Sequence, residues 1–351
     1  MTSINAKKAG SQSALSMKKK FRVAEFLIEQ FIRFTAFISL AVILLIFIFV
    51  FRETLPIFTS ASRPASAAAQ TEVQETYGEE PTAVPASAAV TSVDASEGDA
   101  SVRNLAGGQW QPVSSTPKFG LIPLVIGSIK VTLVAILIGG PIAIFAALFT
   151  SAFAPRWAKE TMKPIIEILA GIPSVVIGFF ALIVLASFFQ NVFGFTYRLN
   201  GFVGGVALAL AVMPIIYTIT DDALSRVPKA LTEASLALGA SRWETALYVV
   251  LPAATPGVFA AILLGIGRAF GETMIVLMAT GNAAMVSAGL FEPVRTMTAT
   301  IGAEMAEVVF GDTHYNVLFL IGSILFLFAF SLNVVAELFV RKRLMKRFEG
   351  M

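Results

Sequence analysis

The sequence predicts an all-α polytopic membrane protein with six transmembrane helices. Three observations carry that reading. Of 351 residues, 56% are hydrophobic and 14% charged, with a mean hydropathy of +0.78, a balance that soluble chains of this length do not show. Uncharged runs at 34–51, 131–154, 168–197, 199–220 and 315–336 are each long enough to cross a hydrocarbon core of about 30 Å as a helix. A further apolar stretch, 245–291, is interrupted only by Arg268 and Glu272 and supplies the sixth span.

Composition also excludes several chemistries. With no cysteine and a single histidine, His314, neither a disulfide framework nor a thiolate or multi-histidine metal site is available. No G-x-x-x-x-G-K-[ST] occurs, so the chain carries no P-loop of its own. An intramembrane enzyme finds little support here.

Taken in order, residues 1–33 form a basic tail and 34–51 the first span. "TSASRPASAAA" after that span resembles a signal-peptide cleavage region, but Arg52 and Glu53 intervene and the apolar run is long for such a segment. We therefore expect the span to be retained. Residues 52–120 form an outer segment, within which 60–104, rich in Ala, Ser, Thr and acids, reads as a disordered insertion. The core, 121–340, holds spans two to six, and 341–351 is a second basic tail. Lysine and arginine concentrate in the two tails, in 155–163 and in 221–252. The positive-inside rule thus places both termini in the cytoplasm. Lys130, at the outer end of span two, is expected to snorkel to the headgroups.

Span five has two readings. If "GRAFGE" were a loop, 245–291 would hold two spans and the tails would lie on opposite sides. Pro256 suits a first helical turn, and a start there leaves too few residues before Arg268 to cross. One span over about 256–280 follows, with Arg268 and Glu272 at mid-membrane, four apart on one helix face. A charge there costs about 2.5–3.5 kcal/mol on insertion scales. Guanidinium matches the oxygens of an oxyanion bidentately, so the pair is a candidate substrate path. A buried salt bridge that merely holds the bundle is the structural alternative. Gly171, Pro173 and Ser174, in "GIPS", are read as a break within span three, of the kind that lines substrate routes in transporters. Glu167 is expected to pair with a basic residue such as Lys163. Gly267 and Gly271 form a small-xxx-small pattern for close helix approach. Glu304 and Glu307 read as a solvated or interfacial helix face, and His314-Tyr315 as headgroup-level rings.

Between spans four and five, "DDALSRVPKALTEASLALGASRWETALYVVLP" (221–252) encodes helix, turn, helix. Pro228 and "KALTEASLAL" start the first helix. Gly239 leaves it in a left-handed conformation, and Ser241 with Glu244 forms a capping box for the second.

Glu233, Ala234, Gly239, Leu251 and Pro252 lie at the spacing of the EAA loop, and the segment resembles that motif of ABC importer permeases, departing at Ser235 and Val249. Within that family, "PIIEILAGIPSVVIGFF", "GRAFGETMIVLMATGN" and "RTMTATIGAEMAEVVFGDTHYNVLF" resemble the phosphate permeases of the PstC type. Met274, Ile275 and Val276 after Gly-Glu-Thr favour that type over its paired permease, PstA.

The resemblance implies a type I ABC importer permease fold with a cytoplasmic coupling helix. It further implies phosphate as substrate, a PstA-like second permease, two ATPase subunits that bind the ATP, a periplasmic phosphate-binding protein, and location in the bacterial inner membrane. Permeases for sulfate or molybdate, PstA itself, and a secondary transporter or channel acting alone are the competing readings.

Overall fold

A computed structural model describes residues 23–59 and 102–339, with side chains for 27–58 and 104–338. The expected insertion 60–104 lies outside the described residues except at its C-terminal end. Residues 1–22 of the N-terminal tail and the whole basic tail 341–351 also lie outside them, while 23–33 of the N-terminal tail are already helical.

The first helix, α1 (Val23–Thr59), crosses the boundary between two compact units, which meet at Phe49 and Val50. Before that boundary its side chains are almost all exposed. This is what an all-round apolar helix shows when lipid, not protein, is its solvent.

Within the second unit, α2 (Val102–Leu105) precedes a two-stranded antiparallel hairpin, β1 (Trp110–Gln111) and β2 (Lys118–Phe119), with Trp110 opposite Phe119. Span two is α3 (Ile122–Ala152). An exposed helix, α4 (Arg156–Ala170), has no buried residue. Span three is α5 (Ser174–Phe180), a π-helical turn (Ala181–Leu185) and α6 (Ala186–Phe193). Span four is α7 (Gly201–Ser225), whose N-cap Asn200 accepts from the Val203 amide.

Then come α8 (Lys229–Ala237) and α9 (Arg242–Thr245). A second π-helical turn (Ala246–Val250) joins α9 to α10 (Leu251–Gly271). Short helices α11 (Met274–Ala279) and α12 (Met297–Glu304) lead to α13 (Thr313–Phe339). Six helical stretches among the described residues are long and apolar enough to cross a membrane: 27–58, 122–152, 174–193, 201–225, 242–271 and 313–338.

The core is built on α3 and α7. A Cβ on Gly205 would meet Val134 at 2.5 Å, and one on Gly139 would meet Ala209 at 3.2 Å, so small residues let these two backbones approach. Leu208, Val212, Ile216, Ala135 and Val131 fill the seam. A second cluster joins the hairpin to α13 through Trp110, Phe119, Leu124, Val317 and Leu318. Thr54 of α1 and Ser323 of α13 share a buried hydrogen bond of 3.0 Å.

Three expectations about spans need correction. Span five does not begin at Pro256. Helical structure runs unbroken from Arg242 to Gly271 through Pro252 and Pro256. Pro252 follows on a π turn, and Pro256 removes only the hydrogen bond to the carbonyl of exposed Pro252, so neither proline breaks the helix. Nor does that span run on to 280. It stops at Gly271, because Glu272 is extended (φ −71°, ψ 134°), and the chain resumes as α11. In span three, Gly171 closes α4, Pro173 caps α5 and Ser174 is the first residue of α5. "GIPS" is therefore the joint between an exposed amphipathic helix and the span, not a break within it. With a proline at the cap, the missing N–H falls where no intrahelical partner exists.

Candidate substrate path and coupling loop

Arg268 sits in the last turn of α10 and is exposed. Beside it, a Cβ on Gly267 or Gly271 would meet nothing within 4 Å, so this face of α10 is open in the single chain. Because Glu272 has left the helix, Arg268 and Glu272 do not share a helical face. No hydrogen bond or ion pair among the described residues joins them, so the expected pair is not formed.

Glu272 belongs to a polar cluster instead. Its carbonyl, released by the end of α10, accepts from Thr298 Oγ1 at 2.7 Å. Thr298 and Thr296 hydroxyls lie 3.2 Å apart, and the Met297 amide donates to Ser128 Oγ at 2.9 Å. Ser128, Thr132, Glu272, Thr296 and Thr298 together line a small cavity within the core. The chain reaches Thr296 through a tight return. Gly281 has φ +78°, and a Cβ there would meet the Leu199 carbonyl at 2.8 Å, so only glycine fits.

The remaining candidates in span three, Gly171 and Pro173, are exposed, and Ser174 is half-buried. They are adjacent to the Glu272 region through α5, which packs on α11 where Gly178 approaches the Met274 carbonyl. The candidate elements are thus neighbours, while their side chains make no contact with one another.

Two further pairings differ from expectation. Lys163 bonds Asp221 at 2.8 Å rather than Glu167, with side chains 50% and 5% exposed. That hydrogen bond, with burial acting against it, holds the Lys163 ammonium above its ordinary pKa. Lys130 donates to the carbonyls of Ser287 and Gly289 instead of reaching for headgroups, because α3 begins two turns before it.

A centre that periodicity did not reveal surrounds Glu304. Its carboxylate accepts from Arg295 Nη1 at 2.7 Å, bonds His314 Nε2 at 2.8 Å, and accepts from Trp110 Nε1 at 3.1 and 3.2 Å. Burial pushes this carboxyl up, but hydrogen bonds from His314 and Trp110 and the nearby charges of Arg295 and His314 outweigh it. The net position is below the ordinary value. Glu304 is therefore not a solvated helix residue, and His314 is 12% exposed in its side chain.

The loop between spans four and five has the geometry its sequence encodes. Glu233 and Ala234 lie exposed on α8. Gly239 has φ +91°, and both hydrogen bonds of the Ser241–Glu244 capping box are made. Ser235 and Thr245 hydroxyls meet at 2.9 Å, which fastens α8 to the start of the helix that leads, through Leu251 and Pro252, to Arg268.

Known proteins bear on this arrangement. The chain is 38% identical over 221 residues to the probable ABC transporter permease protein YqgH of Bacillus subtilis, covering 63% of this chain and 72% of that protein. It is 35% identical over 247 residues to the phosphate transport system permease protein PstC of Mesorhizobium japonicum, covering 65% and 75%. To PstC of Xylella fastidiosa it is 32% identical over 263 residues, covering 69% and 79%. Residues 139–344 match the model of the binding-protein-dependent transport system inner membrane component. That match spans more than half of the sequence, from within α3 past the end of α13, and takes in both the α8 loop and Arg268. The chain belongs to the family of binding-protein-dependent transport system inner membrane components.

Proposed function

We propose that this chain is a membrane subunit of an ATP-driven importer of inorganic phosphate. It works beside a second, PstA-like permease, with two ATPase subunits at the α8 end and a periplasmic phosphate-binding protein at the hairpin end. Both termini and α8 then face the cytoplasm, in a bacterial inner membrane. The observation that carries the reading is the continuous helical connection from α8, through the Ser235–Thr245 bond and the Arg242–Gly271 helix, to Arg268. A cation within a membrane span is functional by default, and relatives carrying the phosphate-permease name support this choice of anion.

In this arrangement the open face of Gly267, Arg268 and Gly271 is closed by the second permease. The guanidinium offers two parallel donors to an oxyanion. Glu272, at the helix break, either accepts from a protonated phosphate oxygen or tempers the arginine so that the ion leaves. Glu233, Ala234, Gly239, Leu251 and Pro252 transmit closure of the ATPase pair, so cavity access switches sides. The cargo passes unchanged; ATP is bound and hydrolysed by the partner subunits.

Co-purification tests this directly. The tagged chain should carry with it a second permease and an ATPase, and phosphate-loaded binding protein should stimulate ATP hydrolysis by the assembly. Transport that persists without ATPase subunits would establish a channel or secondary transporter instead. Inhibition of phosphate uptake by sulfate or molybdate at concentrations equal to phosphate would identify another oxyanion as the cargo.

A further inference from the structure

At the α8 end, a cavity opens between α8, α9 and the ends of α3, α4 and α7. Four cations line it, Lys159, Lys163, Lys229 and Arg242, against one carboxylate, Asp221. Asp221 is already engaged by Lys163. Lys159 uses one donor on the Ser151 carbonyl at 2.7 Å, and an ammonium has three. The side chains of Lys229 and Arg242 make no hydrogen bond or ion pair among the described residues. Three cations with unspent donors therefore line one concavity with no further carboxylate in its lining, and such a concentration of positive charge favours an anion.

Behind three of the lining residues lies Tyr217, which is not itself part of the lining. Tyr217 is 3% exposed, and its hydroxyl is buried without a hydrogen-bond partner. Its polar neighbours are Thr150, Asp221 and Lys163, and all three line the cavity.

We propose that this cavity is a second anion site, which holds a phosphate group supplied either by inorganic phosphate or by the headgroup of a net-anionic phospholipid. Several N–H and O–H donors lining one cavity suit the peripheral oxygens of such a group. The α8 helix contributes Lys229 and Thr232 to the lining, while Glu233 and Ala234 stay exposed and outside it. Occupancy therefore fastens α8 to the ends of α3, α4 and α7 without covering its outward face. The anion sets how freely the coupling helix moves. This holds whichever anion is transported, since none of these residues belongs to the Arg268 path.

The test is amide hydrogen exchange of residues 229–245 in the purified transporter complex, in nanodiscs of phosphatidylcholine at fixed ionic strength. One arm adds inorganic phosphate in place of chloride; the other replaces part of the lipid with phosphatidylglycerol. Exchange should slow roughly tenfold at a phosphate concentration about ten times its dissociation constant if free phosphate is the ligand. Slowing only with phosphatidylglycerol identifies the headgroup. Either protection should vanish in Lys229→Gln/Arg242→Gln and persist in Arg268→Ala. No protection in either arm overturns the proposal, as does equal protection of the double variant. Protection that is present without either anion and lost in the double variant would also overturn it, by showing that an acidic segment of a partner subunit fills the cavity.

Discussion

Glu304 and Arg295 lie 2.7 Å apart, carboxylate to guanidinium, with side chains 14% and 18% exposed. The same carboxylate bonds Trp110 of β1 and His314 of α13. One side chain thus ties the hairpin, the segment before α12, and the start of span six. Removing one partner of a buried charge pair leaves the other uncompensated, at about 3 kcal/mol. Glu304→Ala should lower the thermal midpoint of the purified subunit complex and raise proteolytic cleavage within 106–120. An unchanged midpoint would show that the pair contributes nothing.

The Glu304 carboxyl sits below its ordinary value in the folded protein. A depressed folded pKa gives stability that is fully present above the unfolded value, near 4.5, and lost as pH falls through the folded value. Hairpin protection measured by hydrogen exchange should therefore weaken as pH falls below about 4.5. In Glu304→Gln the acid-side loss should disappear.

Lys163 and Asp221 are unequally buried, half-exposed against 5%, so their removal has unequal consequences. Lys163→Met leaves an unpaired carboxylate among α3, α4 and α7, and should destabilise by about 2 kcal/mol, discounted for the exposed lysine. In Asp221→Asn the lysine rehydrates, and the loss should stay under about 1 kcal/mol. The raised Lys163 pKa keeps this contribution intact below about pH 10.5, so neither effect should vary across the neutral range. Denaturation midpoints of the two variants check the order.

Thr298→Val keeps shape but removes the donor to the Glu272 carbonyl at the end of α10. A buried carbonyl without a partner costs about 1–3 kcal/mol. Stability should fall by that order, and uptake should fall more than expression does, because the break beside Arg268 loses its support. Equal uptake per folded complex would separate this threonine from the transport path.

The spans were legible because lipid demands apolar runs of known length, and the α8 loop because caps and Gly239 act locally. The end of α10 was not. Nothing in "GRAFGETM" forbids a continuous helix; the break is held from outside, by Thr298, 26 residues later. Pro252 and Pro256 misled for the complementary reason, since a π turn carried the helix into positions that a proline usually starts. Glu304 escaped periodicity analysis because its partners come from β1, the segment before α12, and α13. Alternating Thr296, Thr298 and Thr300, all buried, were the available signal that this segment enters the core.

The most direct test of the central claim is ATP-dependent uptake of radiolabelled phosphate into proteoliposomes holding the full complex, comparing wild type with Arg268→Ala. Wild type should accumulate phosphate only with ATP and loaded binding protein. Arg268→Ala should assemble normally yet fall to background, and Glu272→Ala should behave likewise. Wild-type uptake by a well-assembled Arg268→Ala complex would contradict the account.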